Sequence, residues 1–199
     1  ASQRKLDSIY FSVLPNGFNE LECKNVLRKV NDEEHYAITI GTYQYKKISI
    51  AFRLFKFLQE KDTKLQKFLI IGNRDDLPHE VRTNDQVVVD IGSNRESLIQ
   101  WLSNAEYYIS ASQIESSSIA TLEGLILSKS VVLSDIPSHR EMLKNIEFEE
   151  IYVERINALF LMASFECDTR FPSVFSWNLT NQKLYETLEN YKFKFQTKS

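Results

Sequence analysis

The chain predicts an α/β fold: a Rossmann-like parallel sheet with helices on both faces. Three observations predict it. Short apolar runs rich in β-branched residues, such as Tyr36-Ala-Ile-Thr-Ile-Gly41 and Phe68-Leu-Ile-Ile-Gly72, recur along the sequence. Between the later runs, apolar residues repeat at helical spacing. Apolar strands that alternate with helices in this way imply parallel strands buried on both faces.

Taken in order, strands are expected near residues 9–13, 36–41, 67–72, 86–91, 106–110 and 130–134, with helices near 47–60, 95–103, 118–128 and 138–145. The helix from Ile48 carries Ile50, Leu54, Phe57 and Leu58 as its apolar stripe and leaves Arg53, Lys56 and Glu60 for solvent. Beyond Ile151 the chain becomes more aromatic, and residues 156–165 and 181–192 read as helices. With only five glycines and four prolines in 199 residues, no internal linker is visible, so one domain spanning 1–199 is expected.

Composition excludes several classes of function. A formal net charge of −3, with basic residues scattered rather than striped, gives no footprint for nucleic acid. Cys23 and Cys167 are the only cysteines and form no CxxC or Cys/His cluster, so neither a disulfide framework nor a zinc site is indicated, and a cytoplasmic setting fits. No apolar run approaches the ~20 residues of a membrane span. His35, His79 and His139 lack a triad setting and read as surface or cap residues, and Asp75-Asp76 reads as a loop rather than a metal motif.

Chemistry concentrates where the strand around Tyr107-Tyr108-Ile109 hands over to a helix carrying Ile119, Leu122 and Ile126. Glu115 and Glu123, with seven residues between them, bracket the turn Ser116-Ser117-Ser118. Serine suits an N-cap, and a helix N-terminus offers N–H groups and partial positive charge to a diphosphate. Carboxylates beside it can accept hydrogen bonds from sugar hydroxyls. The plainer reading is that glutamate favours first helical turns for dipole reasons alone.

Other segments add to this one: Val13-Leu-Pro-Asn-Gly17, Ile38-Thr-Ile-Gly41 followed by Lys46-Lys47, Phe68-Leu-Ile-Ile-Gly72, Val89-Asp-Ile-Gly92, Ser130-Val-Val-Leu-Ser-Asp-Ile-Pro137 and Phe175-Ser-Trp177. In this order they resemble the C-terminal, donor-binding domain of retaining GT-B glycosyltransferases of the family 4 group. The family's corresponding motifs are V-I-P-N-G, G-R-x4-K-G, L-x-I-x-G, V-x-F-x-G, the paired glutamates and F-S-W. Four departures stand out: Thr42 replaces the usual diphosphate arginine, Ile48 a glycine, Ser116-Ser117-Ser118 the rest of an E-G-F-G loop, and Lys129 a glycine at the helix end.

The resemblance implies the C-terminal half of a GT-B fold, with a core over about 1–170 and a closing helix over about 175–193 that crosses to an absent N-terminal domain. Glu115 would hold a hydroxyl of the donor sugar, and Glu123 the ribose hydroxyls. Lys47 would neutralise the leaving diphosphate, with Lys46 as the alternative if the loop is shifted by one residue. On its own, a Lys-Lys pair reads as solvated surface. Gly41 and Thr42 would border the phosphates, and Ser117, Ser118 and Ile119 would offer backbone N–H groups to them, with hydroxyls of Ser116 and its neighbours adding contacts. Gly72, Asn73, Arg74, Gly92 and Ser93 would flank the nucleobase, although either glycine turn also reads as a plain tight turn. Arg74 is a candidate substitute for the missing arginine.

The implied chemistry is transfer from a nucleotide-diphosphate sugar with retained anomeric configuration, without metal or other cofactor. The acceptor, a glycan or lipid-linked sugar, would sit on the N-terminal domain, and the full protein could lie at a membrane face. Two other readings remain: an epimerase or polysaccharide synthase of the same fold, and a degenerate, non-catalytic domain serving as a structural or chaperone subunit. Thr42 and Ile48 favour the last; Glu115 and Glu123 oppose it.

Overall fold

The computed structural model describes residues 35–91, 94–144 and 146–165. The segments expected to form the strand at 9–13 and the helix at 181–192 lie outside the described residues, as do Val13-Leu-Pro-Asn-Gly17, Phe175-Ser-Trp177, Gly92 and Ser93, and both cysteines.

Five parallel strands form the centre of the sheet: β1 (Tyr36–Ile40), β2 (Lys67–Ile71), β3 (Val87–Asp90), β4 (Tyr107–Ser110) and β5 (Ser130–Ser134). Helices α1 (Ile48–Lys61), α2 (His79–Arg82), α3 (Arg95–Asn104), α4 (Ile119–Leu127) and α5 (Pro137–Met142) follow β1, β2, β3, β4 and β5 in turn. Two further strands, β6 (Glu149–Val153) and β7 (Ala158–Ser164), close one edge, and the strand order is β3-β2-β1-β4-β5-β7-β6.

The sheet is therefore mixed rather than wholly parallel, because β7 runs antiparallel to both β5 and β6. This corrects the helix expected over 156–165. Ala158-Leu-Phe-Leu-Met-Ala163 has helix-forming composition, yet β7 pairs with five residues of β5 and buries Phe160, Leu161 and Ala163. Ladder hydrogen bonds and burial on both faces outweigh a propensity of a few tenths of a kcal/mol per residue. Asn157, at φ 54°, turns the chain between β6 and β7.

Alternation along the strands divides the core between the two faces. Tyr36, Ile38, Leu69, Tyr108, Val131 and Leu133 pack with Ile99 and Leu102 of α3 and Leu122, Leu125 and Ile126 of α4. On the other face Ala37, Phe68, Ile70, Ile109 and Val132 pack with Ile48, Ala51, Phe52, Leu54, Phe55 and Leu58 of α1. The α1 stripe is thus rotated from the expected one: Ile50 and Phe57 lie at its margin, while Phe52 and Phe55 enter the core beside Phe68. Lys56 is half-buried rather than fully solvated, its ammonium lying over both rings.

Candidate functional site

From β1 the chain runs to β2 and β3 on one side, then returns to β4 on the other, so β1 and β4 are neighbours whose connections leave in opposite directions. Ligands of open α/β sheets bind at such a switch point, beyond the carboxyl ends of the strands. The loops after β1 and β4 meet there, joined by the Gln113 N–H donating to the Tyr45 carbonyl at 2.9 Å.

The loops also meet through side chains. Lys46 Nζ lies 2.5 Å from Glu115 Oε1, and both side chains are 9% exposed. Gly41 makes the approach feasible. Its φ of 90° is a left-handed conformation, and a Cβ there would stand 3.3 Å from Lys46 Cε. Ser112 Oγ, at the end of β4, donates to the same carboxylate oxygen at 2.8 Å, and Ser110 Oγ is 3.2 Å from Ser112 Oγ. Glu115 is thus held by an ammonium and a hydroxyl in a nearly dry setting, where such bonds are strongest.

The two lysines, left as alternatives by the sequence, go separate ways. Lys46 faces Glu115. Lys47 takes φ 51° as it caps α1 and lines an open cavity of about 640 Å³ with Thr42, Tyr43, Ile48, Asp76 and Pro78. Thr42, at the place of the usual arginine, is turned inward: its hydroxyl donates to Asp76 Oδ2 at 3.2 Å and accepts from the Asn73 N–H at 3.2 Å. Gly72 yields the necessary space, since a Cβ there would come within 2.5 Å of Thr42 Cγ2. Arg74, exposed, donates to the Arg82 carbonyl at 3.4 Å. Asn73 caps the short turn that follows, its side chain accepting from the Asp75 N–H.

On the other side of the switch point, Ser118 caps α4, accepting from the Thr121 N–H at 3.2 Å. Helix geometry leaves the N–H groups of Ile119 and Ala120 without intrahelical acceptors. Ser116 and Ile119 are exposed, and Ser117 is half-buried. Glu123 is buried one turn further on, and Arg95 Nη2, from the start of α3, reaches its Oε1 at 2.6 Å. Gly124 lets α4 lie directly on Tyr108, because a Cβ there would stand 2.2 Å from the ring. Burial pushes the Tyr108 hydroxyl well above its ordinary pKa, so it stays protonated.

One expectation is overturned outright: His139 is not a surface residue. It is fully buried under the site, its Nδ1–H donating to the Ser134 carbonyl at 2.8 Å, while Ser134 Oγ donates to the Ser112 carbonyl at 2.5 Å. Burial lowers its pKa, and the nearby Lys46 ammonium acts in the same direction against the opposing Ser134 bond and Glu115 charge. Of the other histidines, His79 is exposed at the start of α2, and His35 is paired with Glu106 at 2.8 Å. Sequence reasoning missed Arg95, Ser112, Ser134 and His139 as parts of the site. Only Ser112 left a signal, three residues before Glu115 at the end of a strand.

The family model for "Glycosyl transferases group 1" matches residues 25–158, which takes in every loop described above. The chain belongs to the glycosyl transferases group 1 family. Its α/β sheet and its glycosyl-transfer class follow from that membership. A search of curated protein sequences found no match. Among solved structures, the chain is similar to human methyltransferase-like protein 13 in complex with SAH, at 12% identity and a TM-score of 0.37, over 84% of this chain and 86% of that one. A likeness that loose says nothing of chemistry. In this group 1 glycosyltransferase domain no described helix is long and apolar enough to cross a membrane, and no group of metal-ligating side chains occurs among the described residues.

Proposed function

We propose that the domain binds the nucleotide-diphosphate sugar donor of a retaining, metal-independent glycosyl transfer to a glycan or lipid-linked acceptor held by another part of the protein. The observation that carries this reading is the buried Lys46–Glu115 pair at the β1/β4 switch point, beside the N-terminus of α4. Glu115 would accept from a sugar hydroxyl, and Lys46 would stand by the diphosphate as its charge grows on bond cleavage. The first turn of α4 would supply N–H donors to the phosphates, and Glu123 would accept from the ribose. Lys47 and its cavity would bind any second phosphate oxygen, one loop away.

The test is calorimetric titration of the domain with UDP, GDP and ADP and their sugars, and of Glu115→Ala and Glu123→Ala variants. Donor binding by the wild type that Glu123→Ala abolishes supports the reading. Glu115→Ala should remove the preference for the sugar over the free diphosphate.

One observation favours a second reading, a non-catalytic subunit. Thr42 is turned to Asp76 and Asn73 and brings no cation to the place of the usual diphosphate arginine, which a hydroxyl does not replace. A folded domain that binds none of the six ligands, alone or with an added N-terminal domain, would decide for that reading.

A further inference from the structure

His139 is a buried, titratable side chain to which the proposed donor chemistry assigns no part. Its ring is fully enclosed, and Nε2 has no hydrogen-bond partner among the described residues. A buried polar atom left unpaired costs about 1–3 kcal/mol, so a histidine in such a place needs a reason. Its Nδ1 has one: the Ser134 carbonyl at 2.8 Å, which as an acceptor requires the proton on Nδ1. Ser134 Oγ stands 3.3 Å from the same nitrogen and spends its own proton on the Ser112 carbonyl at 2.5 Å. Ser112 Oγ then donates to Glu115 Oε1 at 2.8 Å, the atom that Lys46 Nζ meets at 2.5 Å.

We propose that His139 is a positioning residue: through Ser134 and Ser112 it fixes the end of β4, and so sets the Glu115 carboxylate against Lys46. The chain of bonds joins α5 to the loops after β4 and β1, three segments far apart in sequence. Each bond orders the next. The Nδ1–H holds the Ser134 backbone, which aims the Ser134 hydroxyl at the backbone of Ser112. The Ser112 hydroxyl is thereby turned toward Glu115. His139 touches neither Glu115 nor a ligand; it acts through the serines. Its consequence for sugar recognition rests on the reading that Glu115 faces the donor sugar, whereas its hold on the Lys46–Glu115 pair does not.

The test uses the whole chain and two histidine variants. In His139→Asn the amide nitrogen takes the place of Nδ1 and keeps the donor. In His139→Gln it takes the place of Nε2 and loses it. The ligand-free readout is the rate at which acetic anhydride modifies Lys46, followed by peptide mass spectrometry, with urea midpoints measured alongside. Lys46 labelling should rise about tenfold in His139→Gln and in Ser112→Ala, the factor one lost hydrogen bond to a charged group supports, and stay near wild type in His139→Asn. A residue that merely fills space would reverse the order, because Asn leaves the larger void. That reversal, or equal labelling in both variants, overturns the proposal. Should His139→Gln not fold, Ser134→Ala removes the middle link alone, and unchanged labelling there overturns it too. Titration with the nucleotide sugars is a separate arm: if Lys46 labelling follows the expected order but no variant alters sugar preference, the relay stands and the donor reading falls.

Discussion

Arg95 Nη2, at the start of α3, lies 2.6 Å from Oε1 of the buried Glu123 in α4. The pair ties the two helices that cover one face of the sheet, and it occupies the carboxylate that the family resemblance assigns to ribose. Arg95→Ala would leave Glu123 buried without that cation. We expect a loss of about 1–3 kcal/mol in urea unfolding, with Glu123→Gln/Arg95→Ala no worse than Arg95→Ala, because the double variant has no stranded charge. Strict additivity of the two substitutions would show that the pair contributes nothing.

Gly124→Ala should destabilise by about 1–3 kcal/mol or prevent folding. Helix propensity alone predicts the opposite, a gain of about 1 kcal/mol. The added Cβ would stand 2.2 Å from Cγ of the buried Tyr108 ring, which cannot swing aside in the core. A stability at or above wild type in chemical denaturation would mean that α4 lies farther from β4.

Lys47→Gly should keep or raise stability, by up to about 1 kcal/mol, since the position has φ 51° and glycine bears no cost there. Lys46→Met should destabilise by contrast, because it strands the Glu115 carboxylate in a site where its side chain is 9% exposed. The same two variants, titrated with nucleotide sugars, separate the lysines functionally.

Stability should depend on pH through His139, whose folded pKa burial places below the ordinary 6.5. Between 6.5 and that lower value the unfolded chain binds a proton that the native state does not. Stability should therefore be complete above 6.5 and fall as the pH drops to the folded value, with a slope of at most about 1.4 kcal/mol per unit. His139→Asn should flatten that part of the curve in urea midpoints. Asp135, lowered by its hydrogen bond from Arg140, makes a contribution that is lost only as the pH falls below 3.8.

Much of the fold was legible from periodicity. The central strands and the helices after β1, β3, β4 and β5 occur within a few residues of their expected places, because β-branched runs and helical stripes report local burial directly. The β6/β7 pair was not legible, since an Ala- and Leu-rich segment becomes a strand only when β5 offers it an edge. His139 failed for a related reason: a polar residue in the first turn of a short helix looks exposed until Ser134 and the loops above it are in place.

By itself, the sequence determined the α/β alternation, the carboxyl-end loops that bear Lys46 and Glu115, the helix that bears Glu123, and the family. Only the tertiary structure decided which lysine meets Glu115, that Thr42 is turned inward, and that Arg95 and His139 belong to the site. Hydrophobic spacing is written along the chain, so it can be read locally. Ion pairs and hydrogen bonds across a switch point depend on how loops tens of residues apart are brought together, and that distance is set by the sheet.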